Sequence, residues 1–298
     1  MIMKHKPVLL DEVISSLNIK PNGIYVDLTL GGGGHSLEIL KRLSNDGFLY
    51  GFDQDQYAIN IAKENLKGFN NFKIFKSNFK NMKKILNNEG VTKVDGVLLD
   101  LGLSSFQIDD PSRGFSYMHD ALLDMRMDSD SNLTAKDLIN TLTAEELERI
   151  FRIYGEEKNS YKIAREIVKR RPLNTTFDLV EITDLFPTKG HSAKRVFQAL
   201  RIYLNKEIEV LEETLPQAIS MLNKDGVIAV ISFHSLEDRI VKNYFKELAE
   251  EKVIKGLPTL PQEMPMRYGE KKSYKPTKKE IAENSRSASA ILRTLIKN

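Results

Sequence analysis

The chain has 298 residues, 41% of them hydrophobic and 29% charged, with 44 Lys and Arg against 41 Asp and Glu for a net charge of +3. That is globular composition, enough for one large domain or two smaller ones, with no apolar run long enough to span a bilayer. It contains no cysteine, which excludes disulfides and thiolate chemistry; five scattered histidines argue against a structural zinc site.

Pro7–Asn18 has the spacing of a short amphipathic helix, and the segment before it, Met-Ile-Met-Lys-His-Lys-Pro, lacks the apolar stretch of a signal peptide. The expected location is cytoplasmic. Strands are predicted at 24–28, 48–52, 72–75 and 94–99, with helices at 36–44, 55–66 and 79–88 between them. This alternation predicts an α/β fold, a parallel sheet with helices on both faces. Its strands would place Asp27, Asp53 and Asp100 at one carboxyl edge, where such sheets bind ligands.

From 106 to 200 no strand is predicted. Capping residues and helical spacing mark helices after Leu133 and Leu142 and over Ser160–Arg171 and Thr176–Leu185. The division expected is a sheet domain from 1–105 and 206–298 and a helical insertion at 106–205. A long helical stretch, Lys194–Leu222, returns to the sheet, bent or interrupted at Pro216. Gly226–Phe233 reads as a buried strand, Ser235–Glu250 as a helix opened by a Ser235/Asp238 capping box, and Ser287–Ile296 as the last strand. Gly256–Pro276 reads as an ordered loop or mobile arm. Net charge is low, so binding to an acidic polymer needs local clusters. Arg165, Lys169, Arg170 and Arg171 form one; Lys271–Lys279, with Tyr268 and Tyr274 interleaved, forms another. Each is either a solvated face or a phosphate-binding surface.

Asp27-Leu-Thr-Leu-Gly-Gly-Gly-Gly-His35 follows the first strand and opens a helix, and Asp53 ends the next strand about 20 residues after the turn. Strand, glycine turn, helix and acid together read as a nucleoside-cofactor site. The glycines lack dinucleotide spacing, and Asp27 would repel a pyrophosphate but suit a cation. S-adenosylmethionine fits better than NAD. His35 is either a helix-start residue that packs or a cofactor contact. Phe79 is a core aromatic or a wall for an adenine ring. Asp100 either caps the following turn or accepts a hydrogen bond from a nucleobase amine as it attacks a sulfonium methyl. His234, at a strand end, is a candidate substrate contact; the neighbouring Ser235 lacks the Gly-x-Ser-x-Gly setting of a hydrolase nucleophile.

The chain resembles the bacterial 16S rRNA (cytosine-N4)-methyltransferase H family, of the MraW type. The resemblance rests on His5-Lys-Pro-Val-Leu-Leu-Asp-Glu12, Gly31-Gly-Gly-Gly-His-Ser36, Asp100-Leu-Gly-Leu-Ser-Ser, Gln107-Ile-Asp-Asp110, Arg113-Gly-Phe-Ser-Tyr117, Leu123-Asp-Met-Arg-Met-Asp128, Phe197-Gln-Ala-Leu-Arg-Ile202, Ile231-Ser-Phe-His-Ser-Leu-Glu-Asp-Arg239 and Asn284-Ser-Arg-Ser-Ala288. It implies a Rossmann-like class I methyltransferase sheet with an all-helical inserted domain for substrate recognition. It implies S-adenosylmethionine as donor, no metal, and a decoding-centre (P-site) cytidine of 16S rRNA within the small ribosomal subunit as acceptor. The matched donor positions are Gly33, Gly34, His35, Asp53, Phe79, Asp100 and Gln107, with Asp100 also the catalytic candidate. Asp100-Leu-Gly-Leu departs from the Pro-Pro-aromatic motif of many amino-methyltransferases, so a base-stacking ring must come from elsewhere. Phe115 and Tyr117, beside Arg113, are the candidates, or else they pack between the domains. Insertion helices often provide dimer contacts, so a homodimer is a further expectation. A DNA amino-methyltransferase and an NAD-linked oxidoreductase are the alternatives.

Overall fold

The computed structural model describes residues 7–188, 191, 193–251 and 263–298. The chain divides into two compact units, Met1–Gly102 with Val210–Asn298, and Leu103–Glu209.

The first unit opens with helix α1 (Leu10–Leu17) and then alternates: β1 (Ile24–Asp27), α2 (Gly34–Leu40), β2 (Phe48–Asp53), α3 (Gln56–Leu66), β3 (Phe72–Lys76), a 3-10 turn at Phe79–Asn81, α4 (Met82–Asn88) and β4 (Val94–Asp100). In the second unit follow α5 (Ser105–Asp109), α6 (Ala135–Thr141), α7 (Ala144–Tyr154), α8 (Ser160–Arg170), α9 (Thr176–Asp184) and α10 (Ala193–Asn205). Helix α11 (Glu207–Met221) carries the chain back, and β5 (Leu222–Ser232), α12 (Ser235–Ala249), β6 (Met266–Tyr268), α13 (Lys278–Glu283) and β7 (Ile291–Lys297) complete the first unit.

Its seven strands are ordered β3-β2-β1-β4-β5-β7-β6. The first five are parallel; β7 runs antiparallel to both β5 and β6. The predicted α/β class therefore holds, as an open, mostly parallel sheet whose order reverses between β1 and β4. The strands are apolar on both faces, as a helix-covered parallel sheet requires. Val26, Tyr50, Val97, Ile228 and Val230 face one core with α4, α11 and α12. Tyr25, Leu49, Leu98, Val227 and Ala229 face the other with α1, α2 and α3. Burying a Val, Leu, Ile or Phe side chain in either core stabilises the fold by about 1.5–3 kcal/mol.

The second unit has its own core, which includes Leu123, Met125, Leu147, Phe151, Ile163, Ile167, Leu179, Phe197 and Leu200. Among its described residues the extended pairing is an isolated bridge, Leu122 to Thr175. Thr134, Thr143 and Thr175 each close a capping box at the start of α6, α7 and α9.

Four local readings change. The break between α10 and α11 falls at Lys206, in left-handed backbone at φ 53°, while Pro216 lies inside α11. Pro216 is exposed, and so is Glu212, whose carbonyl loses its helical donor to the proline. Water can serve that carbonyl, while Leu211, Leu215 and Ala218 hold the helix on the core. The capping box of α12 uses His234 and Glu237, one residue earlier than predicted. Ser285–Ser289 is a 3-10 turn, so the last strand starts at Ile291. Within the predicted Gly256–Pro276 loop, residues 256–262 lie outside the described residues, and Met266–Tyr268 is the edge strand β6.

Candidate functional site

In the sheet order the chain turns outward in opposite directions from β1 and β4, which are neighbours. Ligands of open α/β sheets bind beside the carboxyl ends at such a switch point. Asp27 ends β1, Asp53 ends β2 and Asp100 ends β4.

Asp27 is buried. Its Oδ2 accepts from Ser36 Oγ at 2.7 Å and its Oδ1 from the Thr29 amide at 3.2 Å. The acid predicted to face a cation thus braces the turn from within. Thr29 extends the bracing to the next strand, its Oγ1 accepting the Asp100 amide at 2.5 Å. Asp53 holds the turn from the other side. Its Oδ2 accepts from the Gly31 amide and its Oδ1 from the Asp55 amide, both at 2.8 Å.

The glycines divide by task. Gly33, at φ 77°, is the N-cap of α2, and a Cβ there would meet Ala62 and Leu66 of α3 at 3.4 Å. A Cβ on Gly34 would strike Pro7 Cγ at 2.5 Å. Both therefore let chain segments approach. Gly31, at φ 50°, faces open space: a Cβ there would come no nearer to another group than the Thr29 carbonyl oxygen, at 3.9 Å.

His35 is buried on α2. Its Nε2 lies 3.0 Å from the Val8 carbonyl, which can only accept, so Nε2 carries the hydrogen and Nδ1 is bare. Burial pulls its pKa down to about 4. Nδ1 sits 3.7 Å from Asp100 Oδ2. Asp100 Oδ1 is buried with no hydrogen-bond partner. Burial, then the charges of Asp27 and Glu237, push the Asp100 carboxyl up to about 8. Burial is the leading cause at Asp27 and Asp53 as well, each raised to about 6. Among the described residues, none of the three carboxyls is paired with a lysine or arginine. Buried carboxyls without a cation favour a positively charged ligand. Phe79 opens the 3-10 turn after β3, half-buried and packed against the sheet core.

A family model described as the MraW methylase family matches residues 2–298. The chain belongs to that family. It is 56% identical over 295 residues to the ribosomal RNA small subunit methyltransferase H 1 of Acholeplasma laidlawii, covering 98% of each chain. It is 51% identical over 306 residues to the ribosomal RNA small subunit methyltransferase H of Clostridium botulinum strain Loch Maree, again covering 98% of each. With that of onion yellows phytoplasma it shares 48% over 297 residues, 99% of this chain and 97% of the other. A solved rRNA methylase from Streptococcus thermophilus aligns over 99% of this chain and 98% of its own, at 11% identity and a TM-score of 0.46.

In this MraW-family chain the remaining predicted residues have clear local settings. His234 is the N-cap of α12, its Nδ1 accepting the Glu237 amide at 3.4 Å. Glu237 Oε2 accepts the amides of Phe233 and His234 at 2.8 and 3.3 Å. His234 Nε2 is buried 3.0 Å from Glu237 Oε1, out of line for a hydrogen bond. The other four belong to the second unit. Gln107 is buried in the capping box of α5, its Oε1 accepting the Ser104 amide at 3.1 Å. Arg113 donates to the carbonyl of Arg126 at 2.8 Å and lies 5.8 Å from the Phe115 ring. Phe115, 9% exposed, packs in that unit's own core, which leaves little open ring for a base. Tyr117 is half-buried, 4.3 Å from the His191 ring and edge-on to Phe197. The packing of both rings is thus internal to the helical unit. The tyrosines of the basic segment are part-buried, with Lys272 4.9 Å over the Tyr268 ring and Lys271 5.5 Å over the Tyr274 ring.

Sequence reasoning passed over Thr29, Ser36 and Glu237. All three stood within quoted motifs, but a small hydroxyl carries no signal of a partner 9 residues away, as Ser36 has in Asp27, or 71 away, as Thr29 has in Asp100.

Proposed function

We propose that this protein transfers a methyl group from S-adenosylmethionine to the exocyclic N4 of a decoding-centre cytidine in the 16S rRNA of the small ribosomal subunit. One observation carries the donor: three carboxyls at the switch point, Asp27 buried and Asp53 and Asp100 part-buried, with no lysine or arginine paired to them among the described residues. The donor brings an electrophilic methyl on a sulfonium, an ammonium and a ribose diol, and it needs no phosphate cradle. Asp53, already fixed by two amides, keeps lone pairs for the diol. The backbone of Gly33 and Gly34, the buried His35 and the accessible part of Phe79 are the proposed walls of the pocket. Gln107, Arg113 and Tyr117, on the family resemblance, and His234, just past the end of β5, are proposed ligand contacts. The small-subunit rRNA as acceptor follows the relatives at 48–56% identity, which are ribosomal RNA small subunit methyltransferases H.

Asp100 is the proposed catalytic residue. The lone pair of a cytosine amine is conjugated into its ring. An acceptor for one N–H lets that nitrogen become tetrahedral as it attacks. The orphaned Asp100 Oδ1 is such an acceptor once the carboxyl is ionised. The N4–methyl bond forms as the sulfur–methyl bond breaks, sulfur keeps the electron pair, and the N4 proton leaves to the carboxylate or to water. A nearby sulfonium would lower the Asp100 pKa and so favour the ionised form.

The test is transfer of isotope-labelled methyl to small subunits, followed by mass mapping of rRNA nucleosides. Label on a cytosine N4 is expected. Label on a cytosine ring carbon or a ribose, or none at all, would overturn the reading.

A further inference from the structure

Helix α8 turns Ile163, Ala164 and Ile167 into the core of its own unit. Its solvent face carries Lys162, Arg165, Lys169 and Arg170. The acid on that face is Glu166, which serves Arg170 at 2.7 Å and Lys169 at 3.6 Å. Among the described residues neither Lys162 nor Arg165 has a carboxylate partner. Arg165 instead lies over the Tyr161 ring at 5.5 Å and donates to its hydroxyl at 2.7 Å. Tyr161 is 59% exposed, and Val168 on the same face is 38% exposed. The neighbouring helix α9 has the opposite character, with Asp178, Glu181 and Asp184. The excess of cations is therefore local to α8.

We propose that this face of α8 is a docking surface for the sugar-phosphate backbone of single-stranded RNA. Charge complementarity commits it to a polyanion. From Lys162 to Lys169 the helix rises about 10 Å, which spans more than one phosphate of an extended strand. An ordinary solvated helix face pairs its cations with acids and hides its rings. Among the described residues this one leaves two cations without a carboxylate and keeps Tyr161 59% exposed beside Arg165, where an unpaired base can stack. The inference rests on the RNA-methyltransferase reading above, but it concerns binding and is tested apart from methyl transfer.

The experiment measures binding of the full-length protein to protein-free 16S rRNA and to intact small subunits over a series of salt concentrations. The variants are Lys162→Gln/Arg165→Gln/Lys169→Gln together, and separately Tyr161→Ala and Tyr161→Phe. The triple variant is expected to flatten the log affinity against log salt slope by about 2, since each lost single-strand phosphate contact removes about 0.7. Tyr161→Ala is expected to weaken binding about ten-fold and Tyr161→Phe to retain most of it. Circular dichroism melts and donor affinity should match the parent in all three, which keeps misfolding apart from lost contacts. An unchanged salt slope and affinity would overturn the proposal. So would loss of binding to intact subunits with undiminished binding to bare rRNA, because α8 would then be meeting a ribosomal protein. The methylated position found with the unmodified protein decides the reaction separately.

Discussion

Asp100 is the residue on which the chemistry turns, and its proton is the quantity to follow. Its carboxyl titrates at about 8 in the folded chain against 3.8 ordinarily. Between those values the folded state binds more protons than the unfolded one, so stability falls as pH rises and levels off above about 8. Asp27 and Asp53, raised to about 6, act in the same direction at lower pH. His35, lowered from 6.5 to about 4, acts oppositely between those values. From about 6.5 to 8 Asp100 is the member of this set still titrating. The donor-free protein should therefore lose melting temperature across that window, and Asp100→Asn should flatten the loss; parallel scans of both proteins check this. If Asp100 works as the ionised acceptor, Asp100→Asn should also lower turnover at saturating donor by about 10²-fold or more, beyond any weakening of donor binding. Isothermal titration beside a single-turnover assay reads both. Near-full turnover in Asp100→Asn would remove it from the mechanism.

At the scale of elements, the glycine turn is braced by side chains from the ends of two neighbouring strands. Thr29 joins β1 to β4 through the Asp100 amide. Thr29→Val removes that acceptor and leaves a part-buried N–H unpaired, at a cost of about 1–3 kcal/mol. It should lower the turnover rate more than it raises the Michaelis constant for the donor, whereas a change confined to stability would leave both intact below the melting point; steady-state kinetics at low temperature tells them apart. Pro216 offers the opposite change. Pro216→Ala restores a donor to the exposed Glu212 carbonyl, and α11 should gain about 1 kcal/mol, read as a higher denaturation midpoint. The parallel strands and their acids were legible because buried apolar runs ending in a charge are distinctive. The hydroxyl braces were not, since a threonine or serine forms such bonds only after the strands have paired. The break at Lys206 was hidden for a related reason. A proline is the obvious breaker in a helical pattern, yet a left-handed lysine beside the Arg201–Glu207 ion pair ends the helix instead.

For the whole molecule, the two units differ in how the chain builds them. The sheet unit needs segments from both ends of the sequence, but Leu103–Glu209 is one continuous segment with its own apolar core. A protein cut to that segment should fold alone, giving a helical circular dichroism spectrum and a cooperative melt; a non-cooperative melt would show that the core is insufficient. The sequence by itself determined the α/β class, the alternation that builds a parallel sheet, the acids at its carboxyl edge and the family to which the chain belongs. Those follow from period, from glycine and charge placement, and from long motifs, all local along the chain. Tertiary structure decided what each marked residue touches. It showed Asp27 braced by Ser36, Gly34 fitted against Pro7, Phe115 packed inward and Asp100 with one oxygen alone. Such partners are distant in sequence, and a polar group's role depends on which other groups burial leaves within its reach.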